Sequence, residues 1–195
     1  MQNAHAKAHP AADPIAVWHQ DHQYFARLLR LLEEQIGVFH DGGDANYGLM
    51  RDVVFYLRHY SDQVHHPRED AAFAILAKRD PGRRMEISRL MQEHRVIAHT
   101  GEALLALLEK IVDGAFVPRA EVEAAAATYL VYYRNHLATE EVRILPRAGE
   151  LLTAKDWEAV AAAAPDLRDP LFGDEPLERF RELRREITRE SPRPQ

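Results

Sequence analysis

The sequence predicts an all-α protein, an up-down-up-down antiparallel four-helix bundle with additional short C-terminal helices. Three observations carry that expectation. Ala, Leu, Glu and Arg dominate the 195 residues, with aromatics at only 8%, and this is the composition of helix formers. Apolar residues recur at helical spacing through four long stretches. No period-two alternation of the kind strands need rises above noise. The four stretches run to roughly 25–35 residues, about 40–50 Å each at 1.5 Å per residue, and their short connections make sequence neighbours pack in opposite directions.

Each element has its own local signals. Residues 1–12 lack periodicity and are expected to form a flexible N-terminal tail. Asp13 followed by Pro14 reads as an N-cap with proline at the first helical position. The first helix then runs to about Phe39 with Val17, Phe25, Leu28, Leu29 and Leu32 on one face, and His40-Asp41-Gly42-Gly43 ends it. Asp44 is expected to cap a second helix carrying Leu49, Val53, Leu57, Val64, Ala71, Ile75 and Leu76. Pro67 lies inside that helix and should kink it, because the ring removes a donor and crowds the preceding turn. Asp80-Pro81 opens a third helix, which runs to about Val112 and is closed by Asp113-Gly114. Pro118 opens a fourth, with Val122, Ala126, Tyr129, Tyr133 and Leu137 extending the stripe to Leu145-Pro146. Thr153 caps a short fifth helix through about Ala163, and a charged last helix spans about Glu175 to Arg189 after a Pro- and Asp-rich linker. The chain thus divides into the tail, a bundle over 13–150 and a helical extension over 151–195.

Bulk properties narrow the functional classes. The net charge of −6 is spread along the chain, and no basic cluster with interleaved aromatics appears, so nucleic acid is not an expected partner. There is neither a long apolar stretch nor a leader-like start at Met1, so a cytoplasmic protein without membrane association is expected. Self-association into a homo-oligomer is compatible with these features. The absence of Cys removes disulfides, iron–sulfur ligation, thiolate zinc sites and Cys nucleophiles together. Any metal must be held by nitrogen and oxygen, which makes the eleven His residues the most informative count.

Two segments share a pattern. His65 is followed four residues later by Glu69 in HHPREDAAF, and His136 four residues later by Glu140 in HLATEEVRIL. That spacing places imidazole and carboxylate on one helix face, about 6 Å apart along the axis, so that the carboxylate can reach a second metal. The first helix adds His22 in WHQDHQYF and the third adds His94 in MQEHRVIAH. His22 is early in its helix, His65 late, His94 early and His136 late, which is the alternation one shared level requires. Taken singly, each of these residues reads as an ordinary surface or core residue; repeated and level, they read as a metal site.

With these motifs the chain resembles the hemerythrin family, specifically its bacterial cation-binding branch, over roughly residues 14–147. DPLFG, Asp169 to Gly173, and the final charged helix are similar to some bacterial members as well. The resemblance implies a non-haem di-iron centre, two Fe ions with an oxo or hydroxo bridge, inside a four-helix bundle. It implies His22, His65, Glu69, His94, His136 and Glu140 as ligands, with the two Glu bridging. Imidazole binds ferrous iron without adding charge, and the carboxylates offset part of the charge of two cations. The ferritin-like pattern, rich in carboxylates with Glu-x-x-His on two helices, is not what this chain carries.

The chain departs from the family's oxygen carriers at Ala98, where they place a second His on the third helix; His99 lies one residue beyond, a rotation of about 100°. His99 could ligate if that helix is locally overwound or bulged, and His66 could substitute beside the Pro67 distortion. Otherwise a coordination position is open, which favours reactivity over reversible storage. The fourth-helix carboxylate is open between Glu140 and Glu141, because some members use a spacing of five. The leading expectation is a di-iron protein that binds oxygen or a related small diatomic. The alternatives are a di-iron oxidoreductase or iron donor in iron–sulfur cluster repair and stress response, and a metal-free helical interaction protein.

Overall fold

The computed structural model describes residues 13–165, 169–173 and 177–190, and among them only helices and turns occur, with no strand. The expected tail over 1–12 and parts of the linker, 166–168 and 174–176, lie outside the described residues. No described helix is long and apolar enough to cross a membrane.

Helix α1 spans Pro14–His40, and the Asp13 side chain accepts from Ile15 N as expected of its cap. The second helical stretch is composite. It consists of α2 (Tyr47–Tyr56), a π-helical run (Leu57–His65) and α3 (His66–Arg79). Its cap is Asn46, whose side chain accepts from Leu49 N, and not Asp44 as expected; both are cap-forming residues two positions apart, and only Asn46 reaches the free amide. After Asp80 a short 3-10 turn, Pro81–Arg83, leads into α4 (Arg84–Val112), which ends at Gly114 with φ +82°. The fourth stretch is again composite: α5 (Arg119–Thr139), a π-helical run (Glu140–Ile144) and α6 (Leu145–Leu151), five residues longer than expected. Thr153 caps α7 (Ala154–Ala161) through a reciprocal box with Asp156. A 3-10 turn, Glu178–Phe180, precedes α8 (Arg181–Glu190).

At Pro67 the distortion that the sequence suggested takes the form of a π-helical run in the turns before it. Both π runs end two residues before a proline, His65 before Pro67 and Ile144 before Pro146. A proline ring crowds the carbonyl four residues back and leaves it without a donor. Widening the turn by one residue moves that carbonyl away and lets the helix continue, which is how π-bulges arise inside α-helices.

The buried apolar residues fall into two clusters. One gathers Phe25, Leu28, Val53, Tyr56, Ile97, Leu104, Val122, Tyr129 and Tyr133, joined by Leu171, Phe180 and Leu183 from the C-terminal extension. The other gathers Trp18, Phe73, Leu76, Ile87, Leu90, Ile144, Leu145 and Val160. Each of the four long stretches crosses from one cluster to the other, and at the crossing it carries buried His or Glu: His22 on α1, His65 to Glu69 on the second, Glu93 and His94 on α4, His136 and Glu140 on the fourth. The apolar clusters drive the packing, at about 1.5–3 kcal/mol per fully buried large side chain. The polar layer opposes it unless its groups are satisfied.

The extension is fastened to the same helices. Tyr56 donates to Asp169 Oδ2 at 2.9 Å, Asp169 Oδ1 accepts from the amides of Leu171 and Phe172, and the Phe172 ring stacks on Tyr24 at 3.8 Å.

Candidate metal centre

The polar layer brings together every residue the two His-x-x-x-Glu motifs and the two level His residues suggested. Two groups of possible ligand atoms form, and they share Glu69. One is His22, His65 and Glu69; the other is His66, Glu69, His94 and His136. In the first, the Nε2 atoms of His22 and His65 lie 3.0 Å apart, and Glu69 Oε1 lies 3.2 and 3.1 Å from them. In the second, His94 Nε2 lies 3.4 Å from Glu69 Oε2. Glu140 stands between the groups, with Oε1 at 3.0 Å from His136 Nε2 and 3.5 Å from His94 Nε2, and Oε2 at 3.7 Å from His22 Nε2. Both Glu side chains are fully buried.

The outer nitrogens of these imidazoles are held in a regular way. His65 Nδ1 donates to Asp21 at 3.0 Å, His94 Nδ1 to Asp70 at 2.9 Å, His136 Nδ1 to Glu93 at 3.3 Å, and His22 Nδ1 to Glu141 at 2.7 Å. Each acid belongs to a different helix from the His it serves. Asp21 on α1 serves the second stretch, Asp70 on the second serves α4, Glu93 on α4 serves the fourth, and Glu141 on the fourth returns to α1. The four pairs close a ring around the layer. An Nδ1–H donated to a carboxylate fixes the tautomer with the Nε2 lone pair facing inward, the arrangement that supports metal-ligating imidazoles.

Asp21 and Glu93 were not among the residues singled out from the sequence. Each directly precedes a His, in Asp21-His22 and Glu93-His94, but each serves the His of the next helix, a pairing that no spacing rule within one helix can reveal. Glu141 takes the supporting place and Glu140 the inner one. His66 lies inside, its ring stacked on His94 at 4.2 Å, with Ser61 Oγ at 3.1 Å from its Nε2 and Tyr133 OH at 2.5 Å from that oxygen. His99 is exposed and belongs to neither group, because α4 continues without overwinding or bulge.

The π run explains how His65 and His66 are both buried inward. Neighbours on an α-helix diverge by about 100°, whereas a wider turn brings successive side chains closer in direction. Pro67, which induces the widening, stands directly after them.

The electrostatics follow from packing two carboxylates against five imidazoles. At His22 burial opposes the charge, but Glu141, Glu69 and Glu140 outweigh it and lift the imidazole to about 10. His65, His94 and His136 are likewise raised against burial, chiefly by Glu69 at His65, Asp70 at His94 and Glu140 at His136. His66 moves the opposite way: burial, and then the charge of His94, push it well below the ordinary imidazole range. Burial acts to raise Glu69 and Glu140, yet the surrounding imidazoles hold both below the usual carboxylate range.

These donors fit a cation. Glu69 Oε2, His94 Nε2, His136 Nε2 and both oxygens of Glu140 are buried without a hydrogen-bond partner, although several stand 3.0–3.5 Å from one another. Orphaned buried polar atoms are costly and rare. A cation among these atoms would supply the partner that the protein's own groups do not.

The family model of the hemerythrin HHE cation binding domain matches residues 13–148 of the chain. No curated protein matches it.

Proposed function

Because the chain belongs to the hemerythrin HHE cation-binding family, we propose that it holds two iron ions as a non-haem di-iron centre and binds oxygen or a related small diatomic there. The observation that carries this reading is the set of orphaned inward-facing atoms on Glu69, His94, His136 and Glu140. One ion is held by His22, His65 and Glu69, the other by His66, Glu69, His94 and His136. Glu69 is common to both groups and Glu140 turns one oxygen toward each, so both are suited to bridging. His66 takes the fifth imidazole place that Ala98 leaves open.

When bound, the metal pair supplies redox-active, Lewis-acidic positions for a diatomic. The chain's residues prepare those positions. Asp21, Asp70, Glu93 and Glu141 keep four Nε2 lone pairs directed inward, the carboxylates of Glu69 and Glu140 offset cationic charge, and the apolar clusters on either side exclude water. The order in which the four stretches cross the two clusters alternates, from Trp18 to Phe25 on α1 and from Val64 to Phe73 on the next, which supports the up-down-up-down bundle over 13–150. In this reading 151–195 is an extension packed onto it.

The test is metal analysis of protein purified without oxygen and then loaded with ferrous iron. Two irons per chain are expected. Fewer than one transition metal per chain would leave a metal-free helical interaction protein as the better reading.

A further inference from the structure

The centre is enclosed: Glu69 and Glu140 have no exposed surface, and the five imidazoles are at most 5% exposed. A cleft in the described surface has His22 of the centre in its wall. It lies between α1 and the fourth stretch, has a volume of about 360 Å³, and is lined by His19, His22, Gln23, Leu137, Ala138 and Glu141 among others.

The donors in this cleft are ordered from solvent inward. His19 and Glu141 stand at its rim with side chains 39% and 33% exposed. Glu141 Oε2 lies 2.5 Å from His19 Nδ1, and its other oxygen lies 2.7 Å from His22 Nδ1. A single carboxylate therefore joins an exposed imidazole to a buried one whose far nitrogen already belongs to the centre. Arg134, the cation in the lining, is engaged by both oxygens of Glu33 at 2.6 and 2.7 Å, so it does not repel an incoming positive charge. Between the donors the lining is small and apolar at Ala26, Leu137 and Ala138, which keeps the passage open and offers no competing ligand.

From this arrangement we propose that the cleft is the uptake port for divalent cations, with His19 and Glu141 forming a transient outer binding site. An imidazole and a carboxylate suit the same borderline cations as the interior. A cation held there exchanges part of its water before His22 turns to admit it. A neutral diatomic needs no such donors, so the rim chemistry singles out the ion. The inference rests on the di-metal reading above, and the experiment separates the two.

Apoprotein is mixed with Co²⁺ at sub-saturating concentration and uptake is followed by visible absorption; the final stoichiometry is measured separately with Co²⁺ in excess. His19→Ala should slow uptake roughly tenfold, the scale for loss of one supporting group at a metal site, and leave the final stoichiometry at that of the unmodified chain. Ala138→Phe, at an exposed position, fills the cleft and should slow uptake as well. Ala127→Phe, exposed on the same helix but outside the lining, should load at the original rate. Unmodified protein that takes up no Co²⁺ would remove the centre and the port together. Normal loading of the unmodified chain with unchanged rates in His19→Ala and Ala138→Phe would remove the port alone. A lowered final stoichiometry in His19→Ala would make His19 a permanent ligand and overturn the transient role.

Discussion

The two ligand groups that share Glu69 lie side by side but differ in their surroundings. The group of His22 and His65 borders the cleft, and its imidazoles are both raised against burial by neighbouring carboxylates. The group of His66, His94 and His136 has no member in that cleft's lining, and beside the raised His94 and His136 it contains one imidazole, His66, that burial and the charge of His94 push well below the ordinary range. Its ring is steadied by stacking on His94, by the Ser61–Tyr133 pair at Nε2 and by the buried carboxylate of Asp62, whose Oδ1 lies 3.2 Å from Nδ1. Without metal, then, the outer group is a compensated set of imidazolium and carboxylate, while the inner one keeps a neutral nitrogen donor ready. Counting the shared carboxylates of Glu69 and Glu140, the inner ion would have five protein donors and the outer ion four, and the outer one lies against the port. They should differ in affinity and in exchange.

The largest expected effect abolishes the difference by removing what the two groups share. Glu69→Ala should bring the metal content below one ion per chain and destabilise the apoprotein by about 3–5 kcal/mol, because raised imidazoles are left buried without their partner. Metal analysis and denaturant unfolding check the two parts. Retention of two ions at unchanged affinity would show that Glu69 is not shared.

The next change sharpens the comparison by removing the inner group's distinguishing residue. His66→Phe keeps the stacked ring and the volume but removes both nitrogens. It should leave one ion per chain, the outer one, and that ion should still enter at the original rate. Loss of both ions would mean that His66 supports the layer as a whole.

How far this asymmetry was legible follows from where its information resides. His65 with Glu69 and His136 with Glu140 repeat a spacing that one helix imposes, and the early-late alternation of His22 and His94 needs only helix ends marked by Asp13-Pro14, Gly114 and their like. These are local facts. His66 was legible only as an alternative, since a straight helix turns it about 100° away from His65; the π run that brings it inward depends on how Pro67 is accommodated, and a kink was the simpler expectation. The acid ring was half hidden for a different reason. Glu141 stood out beside its motif, but which imidazole each acid serves is settled only by which helices are neighbours. The second helix's cap, Asn46 in place of Asp44, is a choice between two competent residues made by the path of the loop.

A smaller effect tests the ring itself. Asp21→Ala frees His65 Nδ1 and should weaken the outer ion alone, while Asp70→Ala frees His94 Nδ1 and should weaken the inner ion alone. Each loss should be about 10–100-fold in affinity, the usual scale for supporting partners of ligating imidazoles. Two-site titration with Co²⁺ separates the ions, and an equal loss at both sites from either substitution would show that the groups are one cooperative unit.

The smallest effect concerns protons, which His65, His94 and His136 share with His22, and it is worked out at His22, raised to about 10 in the folded apoprotein from an ordinary value of 6.5. Burial works against that charge, so the lift comes from Glu141, Glu69 and Glu140. A group raised on folding contributes stability that is fully present below its unfolded value and is lost as pH rises through its folded one. The apoprotein should therefore lose stability between about pH 6.5 and 10. The loaded protein should not, because metal requires the neutral imidazole and has already displaced the proton. The gap between the melting temperatures of loaded and apo protein should widen as pH is raised through this window. Metal binding at pH 7 should likewise release at least one proton per chain, with the release fading as pH approaches 10. Calorimetric titration in buffers of different ionisation enthalpy measures that release. A loading enthalpy independent of buffer at pH 7 would mean that His22, and with it the other raised imidazoles, is neutral before the metal arrives.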